Sequence, residues 1–272
     1  MAKKSTNAEI SKRVMEVYKV ENGCDIFSWC PGIDLERSTE EQVGKNPNFQ
    51  TAIEQMEAIA RLPFVKYCVM APDSHSGYDM PIGGICMTDA NIVVPTFVGF
   101  DISCGVAAMR TNIKREQIQD RDLRVNILGD MHKNIPVSFH HNDQGQVGWL
   151  KRNGYSEKLI EAMCSSDIVN HFDYSPLGDD EATLKISLNQ CGSMGGNNHF
   201  SEIQYDRNGN IWCMIHSGSR GLGKKIGDYF NNLATDVNKK YYSSSPIGFL
   251  PLDTKGGEAY WAWMTYASKF AQ

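Results

Sequence analysis

The stretch His199-Phe200-Ser201-Glu202-Ile203-Gln204-Tyr205-Asp206-Arg207-Asn208-Gly209-Asn210-Ile211-Trp212-Cys213-Met214-Ile215-His216-Ser217 reads as a β-hairpin. His199–Asp206 and Ile211–Ser217 each alternate. The turn between them, 207–210, is built on Asn208-Gly209, the strongest short hairpin signal, because both central residues of such a turn want positive φ. Pairing across it sets 207 opposite 210, 205 opposite 212 and 201 opposite 216. His216 then faces Ser201, and His199 lies two residues along on the same face, at the about 7–8 Å of a diagonal pair. Two imidazoles at that separation can converge on one ion or on two adjacent ions. Asn198, Phe200 and Glu202 share the second face, suited to something planar and polar. A slip of one residue would destroy the arrangement. The plainer reading makes each histidine a satisfied core or surface residue.

Outward from the hairpin, the chain has 272 residues, 41% apolar and 22% charged, with a formal charge of −5. That excludes disorder as the dominant state and allows a substantial core. The stretch 91–100 is broken by Pro95 and is half the roughly 20 residues a membrane helix needs. The start, Met-Ala-Lys-Lys-Ser, lacks an apolar leader, so the expectation is a cytoplasmic protein whose eight cysteines stay reduced. The acidic balance argues against broad nucleic-acid binding but leaves room for a local basic groove.

Helical spacing predicts a helix over 5–20 (Ile10, Val14, Val17, Tyr18) and a second from Pro47, capped by Asn46. The second would bury Phe49, Ile53, Met56 and Ile59 before Pro63. Strands are predicted at 66–71, 84–87, 91–94 and 105–110, helices at 115–128 and 156–164, and an exposed connection over 231–257. Residues 258–271 form an aromatic-rich helix that needs a partner surface. The expected architecture is α+β, a mixed α/β layered single domain over 1–272.

Three further segments carry chemistry. In Val98-Gly99-Phe100-Asp101-Ile102-Ser103-Cys104-Gly105-Val106 the flanking glycines let Asp101 and Cys104 turn toward one point, a hard and soft donor pair acceptable to Mn, Fe, Co or Zn. Read alone, Cys104 is as easily a small buried hydrophobe. Ala71-Pro72-Asp73-Ser74-His75-Ser76-Gly77 packs acid, imidazole and hydroxyl into a loop, and otherwise is a polar turn. His216-Ser217-Gly218-Ser219-Arg220-Gly221-Leu222-Gly223 sits before a helix predicted from Lys224. Its amides, Ser217, Ser219 and Arg220 make a phosphate cradle, or else a structural glycine turn. It matches neither a Walker A loop nor a Rossmann fingerprint.

In this order, Pro-Asp-x-His-x-Gly, Gly-x-Asp-Ile-x-Cys-Gly, Asn-His-Phe-x-Glu and His-Ser-Gly-Ser-Arg-Gly resemble the motifs of the RtcB family of GTP-dependent RNA ligases, from about Ile26 to Gln272. The resemblance implies a compact α+β fold and two manganese ions bridged by Cys104. Asp101 and His199 would serve one ion and His216 the other. It implies guanine nucleotide beside Asn198, Phe200 and Glu202, Arg220 on phosphate, and less defined catalytic roles for Asp73 and His75. The implied reaction joins RNA 3′-phosphate or 2′,3′-cyclic phosphate ends to 5′-hydroxyl ends, by way of GMP taken from GTP onto a histidine. Two departures stand out: Asn197 and Ser103 replace family glycines. The family's guanylylated histidine, in a Ser-His-Gly-Ala-Gly-Arg-like motif, and a further metal histidine have no match among the seven histidines here.

The expectation is therefore the N-terminal part of such a ligase, active only when the rest is supplied, whether by a complementary C-terminal polypeptide, a spliced gene product or a longer native chain. An activator of the archease kind is left open. The alternatives are a non-catalytic metal- or RNA-end-binding protein and a plain zinc scaffold. With its closing segment absent, helix 258–271 is expected to form an exposed apolar patch, favouring a homodimer or poor solubility.

Overall fold

The computed structural model describes residues 15–30, 32–33, 37–138, 140, 154, 174–176, 189–241 and 247–272. The fold is α+β, and the chain divides into two compact units. Unit 1 is Met1–Phe97 with Ala234–Gly257, and unit 2 is Val98–Leu233 with Glu258–Gln272. Among the described residues no helix is long and apolar enough to cross a membrane.

In unit 1, strands β1 (Glu16–Tyr18), β2 (Ile26–Ser28), β3 (Val65–His75) and β4 (Ile82–Thr88) form one sheet in that order. The β2–β3 pair is parallel and the others antiparallel. Parallel neighbours need a long crossover, and it contains helices α1 (Glu40–Lys45) and α2 (Ala52–Ala60). Helix α2 starts after Thr51, whose N–H donates to Glu54 at 2.9 Å. Its Ile53, Met56 and Ile59 are fully buried in one core with Ile26, Cys68 and Met70. Burying each such side chain stabilises by about 1.5–3 kcal/mol.

Two expectations fail here. Residues 16–18 of the predicted first helix are strand β1, because the turn at Asn22 (φ +57°) and Gly23 folds the chain back so that Val17 pairs with Phe27; residues 5–14 lie outside the described residues. The helix expected from Pro47 starts five residues later. Asn46 instead ends α1 and accepts from the Asn48 N–H at 3.1 Å. The Thr-x-x-Gln and Thr-x-x-Glu capping pairs at 39–42 and 51–54 govern both helix starts.

The expected exposed connection over 231–257 is also overturned. Helix α4 (Arg220–Tyr241) fills its first part. Beyond it, Phe249 packs on Phe64 with ring centroids 4.8 Å apart, and strand β9 (Leu250–Pro251) pairs with strand β5 (Ile92–Val93). Asn238 holds this return by donating to the Phe249 carbonyl at 2.8 Å.

Unit 2 is built on strands β6 (Gly105–Lys114), β7 (Phe200–Tyr205) and β8 (Asn210–Ser217), antiparallel in the order β6-β8-β7. β6 leads through a 3₁₀ turn, Arg115–Ile118, into α3 (Arg121–Asn134), which Asp120 caps by accepting from the Leu123 N–H at 2.8 Å. The single helix expected over 115–128 is thus split, and the one expected over 156–164 lies outside the described residues. The aromatic helix is present as α5 (Lys255–Ala271). Within unit 2 its Tyr260 and Trp263 are fully buried, with Tyr260 on Phe230 at 5.2 Å. The exposed patch expected on this helix is therefore absent apart from Trp261. Val106 and Met109 on β6, and Val125 and Leu128 on α3, are exposed instead.

The hairpin exists with its register shifted by one. Tyr205 faces Ile211, Glu202 faces Met214, and Phe200 rather than Ser201 faces His216. The cause is Asp206. Its carboxylate accepts from the backbone N–H groups of Asn208 and Asn210 at 2.8 and 2.9 Å and from the Asn210 side chain at 2.8 Å. These bonds draw residue 206 opposite 210. A three-residue loop results, in which only Gly209 takes positive φ (+72°), in place of the tight two-residue turn.

The Asn210 side-chain amide, more than any other group, holds the Asp206 carboxyl down to about 2. Its folded value lies below the unfolded one, so the turn is supported above pH about 4 and loses that support as pH falls toward 2. Replacing Asp206 by alanine is expected to speed hydrogen exchange at the Asn210 amide about tenfold at pH 5. Lowering the pH of the wild type toward 2 should lower the protection factor of the same amide, its rate being divided by the intrinsic rate at each pH.

Candidate metal centre

All three strands of the unit 2 sheet contribute at one end. β8 finishes there, while β6 and β7 begin there. His216, next to last in β8, stands between Val106 and Phe200 in register. Cys104 precedes β6 by one residue, and His199 precedes β7 by one. The Cys104 Sγ lies 3.0 Å from His216 Nε2 and 3.6 Å from His199 Nε2. The two imidazole centroids are 5.4 Å apart, and the three donor atoms lie within 4.8 Å of one another. Asp101 Oδ2 is 2.7 Å from His199 Nε2.

The two imidazoles meet, but not by sharing a pleat. In the observed register His216 shares its face with Phe200 and Glu202, the face expected to be opposite. His199 reaches it because the chain bends before β7. Asn197 has φ +60°, and the His199 N–H closes a turn on the Gly196 carbonyl at 3.2 Å. A second turn places the other donors: Ser103 has φ +58°, and the Cys104 N–H donates to the Asp101 carbonyl at 2.9 Å. Both residues that depart from the resembled motifs therefore sit at left-handed positions, which favour glycine. Asparagine tolerates that region, whereas serine costs about 1 kcal/mol there. Ser103→Gly is expected to stabilise the protein by about 0.5 kcal/mol, part of the relief being lost to a freer unfolded chain; Asn197→Gly should be close to neutral. Urea unfolding midpoints check both.

Gly218, read only as part of the phosphate cradle, and Gly195, missing from the sequence reading, shape the centre. A Cβ on Gly218 would lie 2.4 Å from Asp101 Oδ1, so the carboxylate rests directly against the backbone there. A Cβ on Gly195 (φ +113°) would lie 2.1 Å from Arg220 Nη1 and 2.2 Å from His199 Nδ1. The signal for Gly195 was the glycine-rich run 192–196 just before the hairpin.

Helix α4 starts at Arg220, four residues earlier than predicted, with Arg220 itself at φ +60°. Its guanidinium donates to the Ser138 carbonyl at 2.7 Å and to Ser193 Oγ at 3.3 Å. Burial lowers its pKa, an effect partly offset by Asp101. Ser217 donates to the Met194 carbonyl at 2.8 Å, and the fully buried Ser219 donates to Asp101 Oδ1 at 3.5 Å. Both hydroxyls brace the centre. Phe200 meets the His216 ring edge-on at 5.5 Å, Asn198 is exposed, and Glu202 accepts from Gln204. Asp73 and His75 belong to unit 1, at the exposed end of β3, where His75 Nδ1 contacts the Asp73 carbonyl at 2.9 Å.

The donor set fits a divalent transition metal. One sulfur and two imidazole nitrogens converge, a carboxylate adjoins them, and the buried His199 Nδ1 has no hydrogen-bond partner. Burial, reinforced by Asp101, pushes the Cys104 thiol up to about 11. The metal-free sulfur is thus a thiol that must give up its proton to bind.

The family model described as tRNA-splicing ligase RtcB matches residues 55–272. The chain belongs to the RtcB family. Among curated relatives, it is 29% identical over 253 residues to the tRNA-splicing ligase RtcB of Thermococcus kodakarensis, covering 80% of this chain and 52% of the relative. It is 31% identical over 257 residues to that of Nanoarchaeum equitans, covering 80% and 51%. It is 26% identical over 302 residues to RNA-splicing ligase RtcB homolog 2 of Entamoeba dispar, covering 98% and 56%. This RtcB chain spans about half the length of the curated relatives it matches.

Proposed function

We propose that this chain supplies the metal-binding half of an RNA ligase that joins 3′-phosphate or 2′,3′-cyclic phosphate ends to 5′-hydroxyl ends with GTP and Mn²⁺. The observation that carries this reading is the convergence of Cys104, His199 and His216 beside Asp101 at one end of a sheet. Those four residues would hold the metal. When bound, it neutralises phosphate charge and lowers the pKa of an attacking hydroxyl.

The protein's own groups do the positioning. Gly195 and Gly218 hold the His199 ring and the Asp101 carboxylate by leaving room for them, and Ser219 fixes the other carboxylate oxygen. Arg220, clamped by Ser138 and Ser193, supplies a fixed positive charge for a phosphate. Asn198, Phe200 and Glu202 would meet the guanine nucleotide; Asp73 and His75 would serve the reaction from the end of β3. The protein would act in the cytoplasm, with RNA ends as its partners.

None of the seven histidines lies in a Ser-His-Gly-Ala-Gly-Arg-like motif. Guanylylation and joining in this reading therefore draw on a histidine outside these 272 residues. The test incubates the purified chain with Mn²⁺ and labelled GTP, alone and with the C-terminal half of a relative. Label on the added polypeptide and joined RNA are the expected results. Covalent label on this chain alone overturns the division of labour. Saturable binding of 3′-phosphorylated RNA without joining in the mixture replaces this reading with the non-catalytic one.

A further inference from the structure

Four of the eight cysteines, Cys24, Cys30, Cys68 and Cys86, lie in unit 1. Three of them share one face of its sheet. Ile26 and Cys68 are partners in the parallel β2–β3 register and both are fully buried, so both point into the core beneath α2. Cys24, two residues before Ile26, projects the same way. Cys86 stands opposite Cys68 across the antiparallel β3–β4 pair and shares its side.

The backbone of Cys24 is anchored. Its N–H donates to the Ala60 carbonyl at 2.9 Å, and Gly23 packs so close that a Cβ there would lie 2.7 Å from the same oxygen. The Cys24 thiol consequently rests on Cys68, donating to its sulfur at 3.7 Å. Oxidation would close that separation to a bond of about 2.05 Å. We propose that Cys24 and Cys68 form an oxidisable dithiol in unit 1, a modification site for hydrogen peroxide and small hydroperoxides.

The two thiols differ in access, which orders the steps. Cys24 is partly exposed, whereas Cys68 is fully buried. Burial, and then the neighbouring Cys24 and Cys86, push the Cys68 thiol above its ordinary range, and its burial keeps it from peroxide in solution, so Cys24 reacts first. Cys24 as thiolate attacks a peroxide oxygen. An S–O bond forms, the O–O bond breaks, and the other oxygen leaves as hydroxide, which takes up the proton the Cys24 thiol had released and becomes water; Cys24 is left as a sulfenic acid. The Cys68 sulfur then displaces that oxygen. The S–S bond forms, the S–O bond breaks, and the thiol proton departs with the second water. Two thiols lose two electrons and one peroxide gains them.

The test treats the full-length chain with a small excess of hydrogen peroxide, blocks remaining thiols under denaturing conditions, and maps non-reduced peptides by mass spectrometry. The expected result is a Cys24–Cys68 linked peptide that dithiothreitol removes. In Cys68→Ala, a size-compatible core substitution, oxidation should stop at Cys24 and yield a dimedone adduct absent from the wild type. In Cys24→Ser, Cys68 should be recovered fully alkylated. The proposal is overturned if wild-type Cys24 and Cys68 are both recovered alkylated at a peroxide dose that oxidises the exposed Cys104, or if Cys24 pairs with Cys86 instead. The experiment uses no metal, GTP or RNA, so its outcome is independent of the ligase reading.

Discussion

Cys104→Ala is expected to weaken Co²⁺ binding at least about 100-fold and to abolish the sulfur-to-cobalt absorption band, because it deletes the donor that touches both imidazoles. Loss of groups that merely orient metal ligands already costs about 10–100-fold, and here a ligand itself is removed. The neighbours explain why nothing substitutes for it. His216 Nε2 is 3.0 Å from this sulfur, while the Asp101 carboxylate lies on the His199 side. The pH dependence gives a second readout. The thiol sits at about 11 in the metal-free protein, raised by burial first and by Asp101 second. Binding must expel that proton, so wild-type affinity should rise with pH, about tenfold per unit from this group alone while pH stays below 11. The alanine variant should lose that part of the slope. Affinity and slope both unchanged in Cys104→Ala would remove the sulfur from the centre.

Much of this centre was legible in the sequence because its donors sit beside glycines and at strand ends, where local rules apply. Asp101 and Cys104 read as a turn, and they form one. His199 and His216 read as neighbours, and they are, but for a different reason than the pleat. The Asn208-Gly209 signal located the hairpin and misplaced its register, because Asp206 captures two backbone N–H groups and moves the loop by one residue. Strand parity then sends His199 to the wrong face, and the bend at Asn197 returns it. Two opposing local effects, neither visible in an alternation pattern, left the prediction standing. The burial of 247–251 and of α5 was illegible for another reason: those aromatic residues read as exposed until the segments they pack on, Phe64 and Phe230, are placed beside them. The close approaches of Arg220 to Gly195 and of Asp101 to Gly218 are equally non-local, since each side chain comes from a distant part of the chain.

Gly218→Ala isolates that last effect, since the backbone at 218 is not in the left-handed region and the methyl acts by volume alone. The new Cβ would lie 2.4 Å from Asp101 Oδ1 and 2.7 Å from Oδ2, well inside contact distance. An aspartate has one methylene with which to retreat, and retreat carries Oδ2 away from His199 Nε2 and Oδ1 away from Ser219. The sheet keeps its pairing, because Gly218 lies just beyond β8 and its neighbour Ser217 remains paired with Gly105. The expected outcome is an unchanged circular dichroism spectrum with Co²⁺ affinity lowered about 10–100-fold, the range seen when a residue that orients a ligand is lost. The Cys104 band should survive in this variant at saturating metal, which separates it from Cys104→Ala. Full affinity in Gly218→Ala would mean that the carboxylate can move without consequence, and Asp101 would then have no part in holding the metal.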